Sequence, residues 1–242
     1  MAYGLTKSSD LDALNDDKVL VAADSDDFDF GNTFTIELWY KPTTLPSGNS
    51  HGLVGKWTTS GNQRSYGLIL FESGGDTKLR MNTDTNGTAG GSDVAYSDAL
   101  TLSTGTWYHI VASVSSGTCT FYLDGADIGG GSGLGAPYTS TSVVAVGAER
   151  SDGSDGSDGL FSLVRIWKGE ARTSGEIGDN MCEVLGSTTN LSAEWTLDDI
   201  YTDNSGNSHT LTANNSPVFV TDVPATCAAT IAADNALTMC NF

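Results

Sequence analysis

Apolar and polar residues alternate in short runs along most of this chain, and clusters of Gly, Asp, Ser and Thr interrupt them. A period of two puts one side of an extended segment on a core and the other toward solvent, so it specifies strands rather than helices. The clearest run is Phe34–Tyr40, with Phe34, Ile36, Leu38 and Tyr40 on one face, and Pro42 and Pro46 end it. Comparable runs span 52–57, 66–72, 78–82, 107–114, 118–124, 143–147, 160–167, 190–197 and 217–223. Asp124-Gly125 is the dipeptide that closes a two-residue hairpin. Short strands at this spacing, joined by such turns, predict an all-β, two-sheet antiparallel sandwich. Two segments read as helix: Asp10–Asp17, and Thr173–Val184, where Thr173 and Glu176 have the spacing of a capping box.

Composition narrows the function. The 242 residues carry 30 Asp+Glu against 11 Lys+Arg, a net charge of −19. Nucleic-acid binding needs a cationic face that displaces counterions, so that class is excluded as an expectation, as are anionic membranes. Of the acids, 23 are Asp and 7 are Glu, the balance of a chain rich in turns. No run reaches the ~18–20 apolar residues of a membrane span, and the opening MAYGLTKSSDLDALNDD lacks a signal peptide's basic and apolar regions. Cys119, Cys182, Cys227 and Cys240 form no CxxC pair and no ligand spacing with His51, His109 or His209, which argues against zinc. Cys119 sits in an apolar strand as a buried hydrophobe; disulfide status is open, and Cys227 and Cys240, both in the tail, can pair if the compartment is oxidising.

The order of the pieces resembles a known family. TFTIELWYKP (33–42), GLVGKW (52–57), SYGLIL (65–70), TGTWYHIVASV (104–114), GTCTFYLDG (117–125), VVAVGAE (143–149), GLFSLVRIWKGEARTSGEI (159–177) and AEWTLDD…TDNSGNSHTL (193–211) are similar to the laminin-G-like, concanavalin A-like jelly roll. The resemblance implies a jelly roll over 19–223, an N-terminal arm or first edge strand over 1–18, and a C-terminal tail over 224–242 without a counterpart. It places Trp39, Trp107, Trp167 and Trp195 in the packing and leaves Trp57, Tyr96 and Tyr138 as candidate contacts at the loop rim.

The same superfamily contains glycan-cleaving enzymes that use two carboxylates a few ångströms apart. Among the seven Glu, one alone has an acidic partner close along a strand, Glu194 with Asp198, and that pair spans a strand end. The expectation is a non-enzymatic binding or surface module for a glycan or protein partner. Its loops include Asp203-Asn-Ser-Gly-Asn-Ser-His209, which resembles a calcium loop of the family. Asp203 and Asn207 there, with Asp24 and Asp26 from the opposite end of the chain, are candidate calcium ligands; alternatively, Asp203 and Asn207 bond their own turn. Three SDG copies place Asp152, Asp155 and Asp158 at the rim, either around a shared ion or in a solvated flexible connector. A free-standing domain with two arms resembles phage decoration or fibre proteins, which implies display on a virion without export. A coat or fibre subunit would then meet the tail, and oligomers fit a fibre component. A structural spacer docked by its tail and a glycan-cleaving enzyme are the competing functions.

Overall fold

The computed structural model describes residues 4–12 and 18–227. The strands run β1 (Ser8–Asp12), β2 (Val19–Ala22), β3 (Phe34–Pro42), β4 (Ser50–Thr58), β5 (Gln63–Ser73), β6 (Asp76–Asp84), β7 (Ser92–Tyr96) and β8 (Tyr108–Ser115). Then come β9 (Thr118–Leu123), β10 (Ala126–Ser132), β11 (Val144–Val146), β12 (Asp158–Lys168), β13 (Leu191–Trp195), β14 (Thr212–Asn214) and β15 (Val218–Val220). One sheet has the order β10-β9-β8-β3-β12-β1-β15, with β13 paired to β12 beyond the end of β1; the other runs β14-β2-β11-β4-β5-β6-β7. Every pairing is antiparallel. This is the two-sheet antiparallel sandwich that the alternating pattern predicts, in the jelly-roll form that the resemblance implies.

Phe34, Ile36, Leu38 and Tyr40 are fully buried between the layers, where they meet Leu68, Leu70 and Met81 of the facing sheet's strands. Burying side chains of this size is worth about 1.5–3 kcal/mol each relative to exposure. The β9–β10 hairpin closes through Asp124 (φ 51°) and Gly125 (φ 81°), the left-handed pair that the dipeptide favours.

Two expectations change and a third holds over a shorter span. Residues 8–12 form a strand, not the start of a helix, because Leu11 fills the core and the backbone pairs with β12 on one side and β15 on the other; residues 13–17 of that expected helix lie outside the described residues. The second helix is present as α1 (Ser174–Asn180), and its capping box is formed by Thr173 and Glu176. Cys227 does not pair with Cys240. It forms a disulfide with Cys182, which ties the start of the expected tail to the segment after α1, and Cys240 lies outside the described residues. Among the described residues no helix is long and apolar enough to cross a membrane.

Candidate functional site

The predicted rim aromatics separate. Trp57 is 8% exposed on β4, opposite Arg64. Tyr138 is half-buried in the connection between β10 and β11, beside Gly87, and its backbone is tied to Asp84 and Ser65. Tyr96 is on β7, not in a loop, and is 38% exposed.

The SDG acids go three ways. Asp152 caps its own turn by accepting the Ser154 N–H at 3.0 Å. Asp155 pairs with Arg150 at 3.0 Å. Asp158 starts β12 and is buried, with its carbonyl accepting the Tyr40 hydroxyl. The segment is not a loose connector, because the Asp155 carbonyl accepts the Gly52 N–H of β4 at 2.6 Å. Its approach depends on Gly52, where an added Cβ would lie 2.5 Å from the Asp155 carbonyl oxygen; Gly55 likewise leaves room for the Glu149 backbone. Glu149 is buried over this glycine cradle and accepts the Asn82 amide at 3.1 Å. Burial raises its carboxyl above the usual range, and the Asn82 hydrogen bond only partly offsets that.

The expected calcium ligands are engaged elsewhere. Asp203 accepts four hydrogen bonds: Oδ1 from the N–H groups of Glu194 (3.0 Å) and Ser205 (2.8 Å), and Oδ2 from the Ser205 hydroxyl (2.8 Å) and the His209 N–H (3.0 Å). A carboxylate has about four lone-pair sites, so these donors fill it. Asn207 donates to the carbonyls of Leu191 and Ser192. Asp24 pairs with the buried Lys56 ammonium at 2.9 Å, and Asp26 is exposed. The two chain ends do meet, through Asp27 and His209 at 2.8 Å. As arranged, these side chains are spread over separate hydrogen bonds and ion pairs, and no group of three or more His, Cys, Asp or Glu side chains that could hold a metal occurs among the described residues.

Two features were missed by sequence reasoning. Glu37, Arg165 and Glu194 stand side by side on β3, β12 and β13, and Arg165 reaches Glu37 Oε1 at 2.5 Å and Glu194 Oε1 at 2.8 Å. Arg165 also donates to the carbonyls of Asn180 and Glu183, so the α1 segment closes over all three. The two carboxylates are buried and ion-paired, an arrangement that holds the fold together and leaves neither free to attack a substrate.

The second is an open cleft of about 530 Å³ walled by Trp39 and Trp107, with Thr106, Asp124, Met181 and Thr226 around it. Trp107 lies just before β8, half-buried, and its indole N–H donates to Asp222 Oδ1 at 2.9 Å, which fixes the ring. Trp39 is held by the Met181 carbonyl at 2.7 Å. The Cys182–Cys227 bridge closes one side, because Met181 and Thr226 are its chain neighbours. Partial desolvation raises the Asp124 carboxyl, and the His109 N–H that it accepts opposes this. An indole next to hydroxyl and carboxylate groups offers apolar area and hydrogen bonds together. The one signal in the sequence was the Trp107-Tyr108 start of a strand, read there as packing, and the partners come from residues 39, 124, 181 and 222–226.

A family model described as the concanavalin A-like lectin/glucanases superfamily matches residues 14–178. No curated protein matches the chain. Among solved structures, a putative carbohydrate binding protein from Bacteroides ovatus aligns with TM-score 0.65 and 18% identity over 90% of this chain. The chain spans 60% of that protein's length. A heptameric SAP-like pentraxin from Limulus polyphemus gives TM-score 0.56 at 15% identity, covering 88% of this chain and 98% of the pentraxin. Tailspike protein 2 of an Escherichia coli O157:H7 bacteriophage gives TM-score 0.54 at 18% identity over 78% of this chain and 26% of the tailspike.

Proposed function

The chain belongs to the concanavalin A-like lectin/glucanases superfamily, and from that membership we propose that it is a non-catalytic glycan-binding module. The carrying observation is the cleft at Trp107. A sugar ring presents an apolar C–H face and a fringe of hydroxyls, which fit an indole wall with Thr106 and Asp124 at its edge. The indole N–H is already bonded to Asp222, so the ring is oriented before a ligand arrives and little ordering cost remains. A protein titled as carbohydrate binding among the structural neighbours supports the same reading.

The non-catalytic part rests on Glu37 and Glu194. Both are withdrawn beneath α1 and ion-paired to the shared Arg165, so they supply neither nucleophile nor general acid to a bound glycan. The Cys182–Cys227 bridge suits an oxidising environment, which supports display at a surface such as a virion, with the tail as anchor.

A glycan array read with wild type and Trp107→Ala tests the proposal. Specific binding by wild type and its loss in the variant, with an unchanged melting temperature, are expected. No bound glycan, or new reducing ends released from β-glucans, agars or alginates, would overturn it. Deleting 228–242 leaves the disulfide in place; loss of surface incorporation with intact glycan binding identifies the tail as the anchor.

A further inference from the structure

The outer face of the seven-stranded sheet carries two cations that form no salt bridge among the described residues. Lys78 and Arg80 are two residues apart on β6 and therefore point to the same side. That side is the outer one, since Leu79 and Met81 between and beyond them fill the core. Lys7, Lys41, Lys56, Arg150, Arg165 and Arg172 each meet a carboxylate. Among the described residues neither Lys78 nor Arg80 forms a salt bridge, and Arg80 acts on Glu149 only at longer range, although acids outnumber bases 30 to 11 in the chain.

Aromatic rings surround the pair. Arg80 lies directly opposite Tyr96 on β7, and its guanidinium sits 4.7 Å from the Phe71 ring centre. Lys78 lies directly opposite Phe71 on β5. The Phe71 and Tyr96 rings are 6.1 Å apart, and Val94 and Tyr96 are 45% and 38% exposed. The guanidinium is held by stacking on Phe71 rather than by a salt bridge, and the Arg80 side chain is partly exposed, so it remains available to an anion.

We propose that this face is a second binding surface, separate from the Trp107 cleft, and that it takes an anionic polysaccharide bearing carboxylate or sulfate groups. The anions meet Arg80 and Lys78, and a sugar ring lies on the exposed Tyr96. Charge complementarity selects this occupant: the guanidinium fork matches a two-oxygen anion, and Tyr96 supplies the apolar face that a simple ion does not need. The protein's overall negative field opposes long-range approach, but it is screened beyond about 8–10 Å at physiological salt, which leaves the local pair to decide contact.

The test is calorimetric titration of the full chain with heparin, polygalacturonate and dextran at physiological salt. Binding of heparin or polygalacturonate but not dextran is expected, and the stronger of the two tells sulfate from uronate. The double variant Lys78→Gln/Arg80→Gln should lose about tenfold or more in affinity, Arg80→Lys should lose part, and Trp107→Ala should bind as wild type does. Melting temperatures confirm that the variants fold. Equal affinity for dextran, no binding of either polyanion, or undiminished binding by the double variant would overturn the surface. Loss through Trp107→Ala instead would move the polyanion to the cleft, and the outcome for the cleft itself is read separately on the glycan array.

Discussion

Arg165 and Glu194 face each other on neighbouring strands with Nε 2.8 Å from Oε1, and neither side chain is exposed to solvent. Glu37 completes the row from the other side at 2.5 Å. Because the guanidinium also binds the carbonyls of Asn180 and Glu183, one side chain joins three strands to the segment that covers them. Arg165→Met leaves two carboxylates buried without a cation, and the expected loss is about 3–5 kcal/mol of unfolding free energy. Replacing all three by apolar residues of similar volume should cost far less. Urea unfolding of both variants measures the difference; equal losses would show that the charges contribute nothing beyond volume.

This row also sets an acid limit. Burial alone would raise the Glu37 carboxyl, but the charge and hydrogen bond of Arg165 outweigh it and hold the carboxyl below the usual glutamate range. The folded value lies under the unfolded one, so the stabilisation is present above the unfolded pKa and disappears as pH falls through the folded value. Arg165→Met should flatten that lowest-pH limb of the stability curve, as seen by circular dichroism during acid titration.

The fold was legible where one strand carries its own signal. Phe34–Tyr40 declares its buried face by alternation, Asp124-Gly125 declares its hairpin, and Thr173 with Glu176 declares a helix start. β10 was not legible, because Gly129–Gly131 supply no side chains to alternate, and Leu11 was misread because its strand is defined by partners at 158–161 and 218–220. The site was harder for the same reason. Glu37, Arg165 and Glu194 become neighbours only through register, and Trp107 becomes a wall only when residues 181 and 224–226 arrive beside it. Asp203 was visible as a turn residue, but the count of its donors was not.

Two buried histidines give a second, higher pH dependence. Burial lowers His109 to about 4; Glu37 opposes the shift and Arg165 adds to it. Burial likewise lowers His51 to about 4. Below about 6.5 the unfolded chain takes up protons that the folded chain refuses, so stability falls between about 6.5 and 4. Each histidine accounts for up to about 3 kcal/mol of that fall. Urea titrations at several pH values should show this slope, and His109→Phe should remove about half of it. A flat profile across the window would mean that both rings protonate inside the fold.

The Cys182–Cys227 bridge spans 45 residues of sequence. Closing a loop of that length in the unfolded chain is worth about 4 kcal/mol on the chain-entropy account. Reduction, or Cys182→Ser with Cys227→Ser, should lower the melting temperature and open the cleft that Met181 and Thr226 line. Cys119 should stay unreactive toward a thiol reagent in the native protein, since burial pushes its thiol far above the usual range. Peptide mapping without reductant checks the pairing; a 227–240 link would refute it.

The four donors on Asp203 bear on calcium binding by count. Three are backbone N–H groups, of Glu194, Ser205 and His209, and the fourth is the Ser205 hydroxyl. A calcium ion at this carboxylate would have to displace several of them, and each N–H left buried without an acceptor costs about 1–3 kcal/mol. The turn is therefore held by hydrogen bonds that need no metal, and a chelator should leave the melting temperature unchanged. Asp203→Ala should cost several kcal/mol on the same accounting, whether or not calcium is present. The His209 N–H would lose its acceptor, weakening the approach of His209 to Asp27 that joins the two ends of the chain. Calorimetric melting of wild type and Asp203→Ala, each with EGTA and with excess calcium, separates the two accounts. A wild-type drop of several degrees in EGTA, absent from the variant, would show that an ion rather than the backbone occupies this carboxylate.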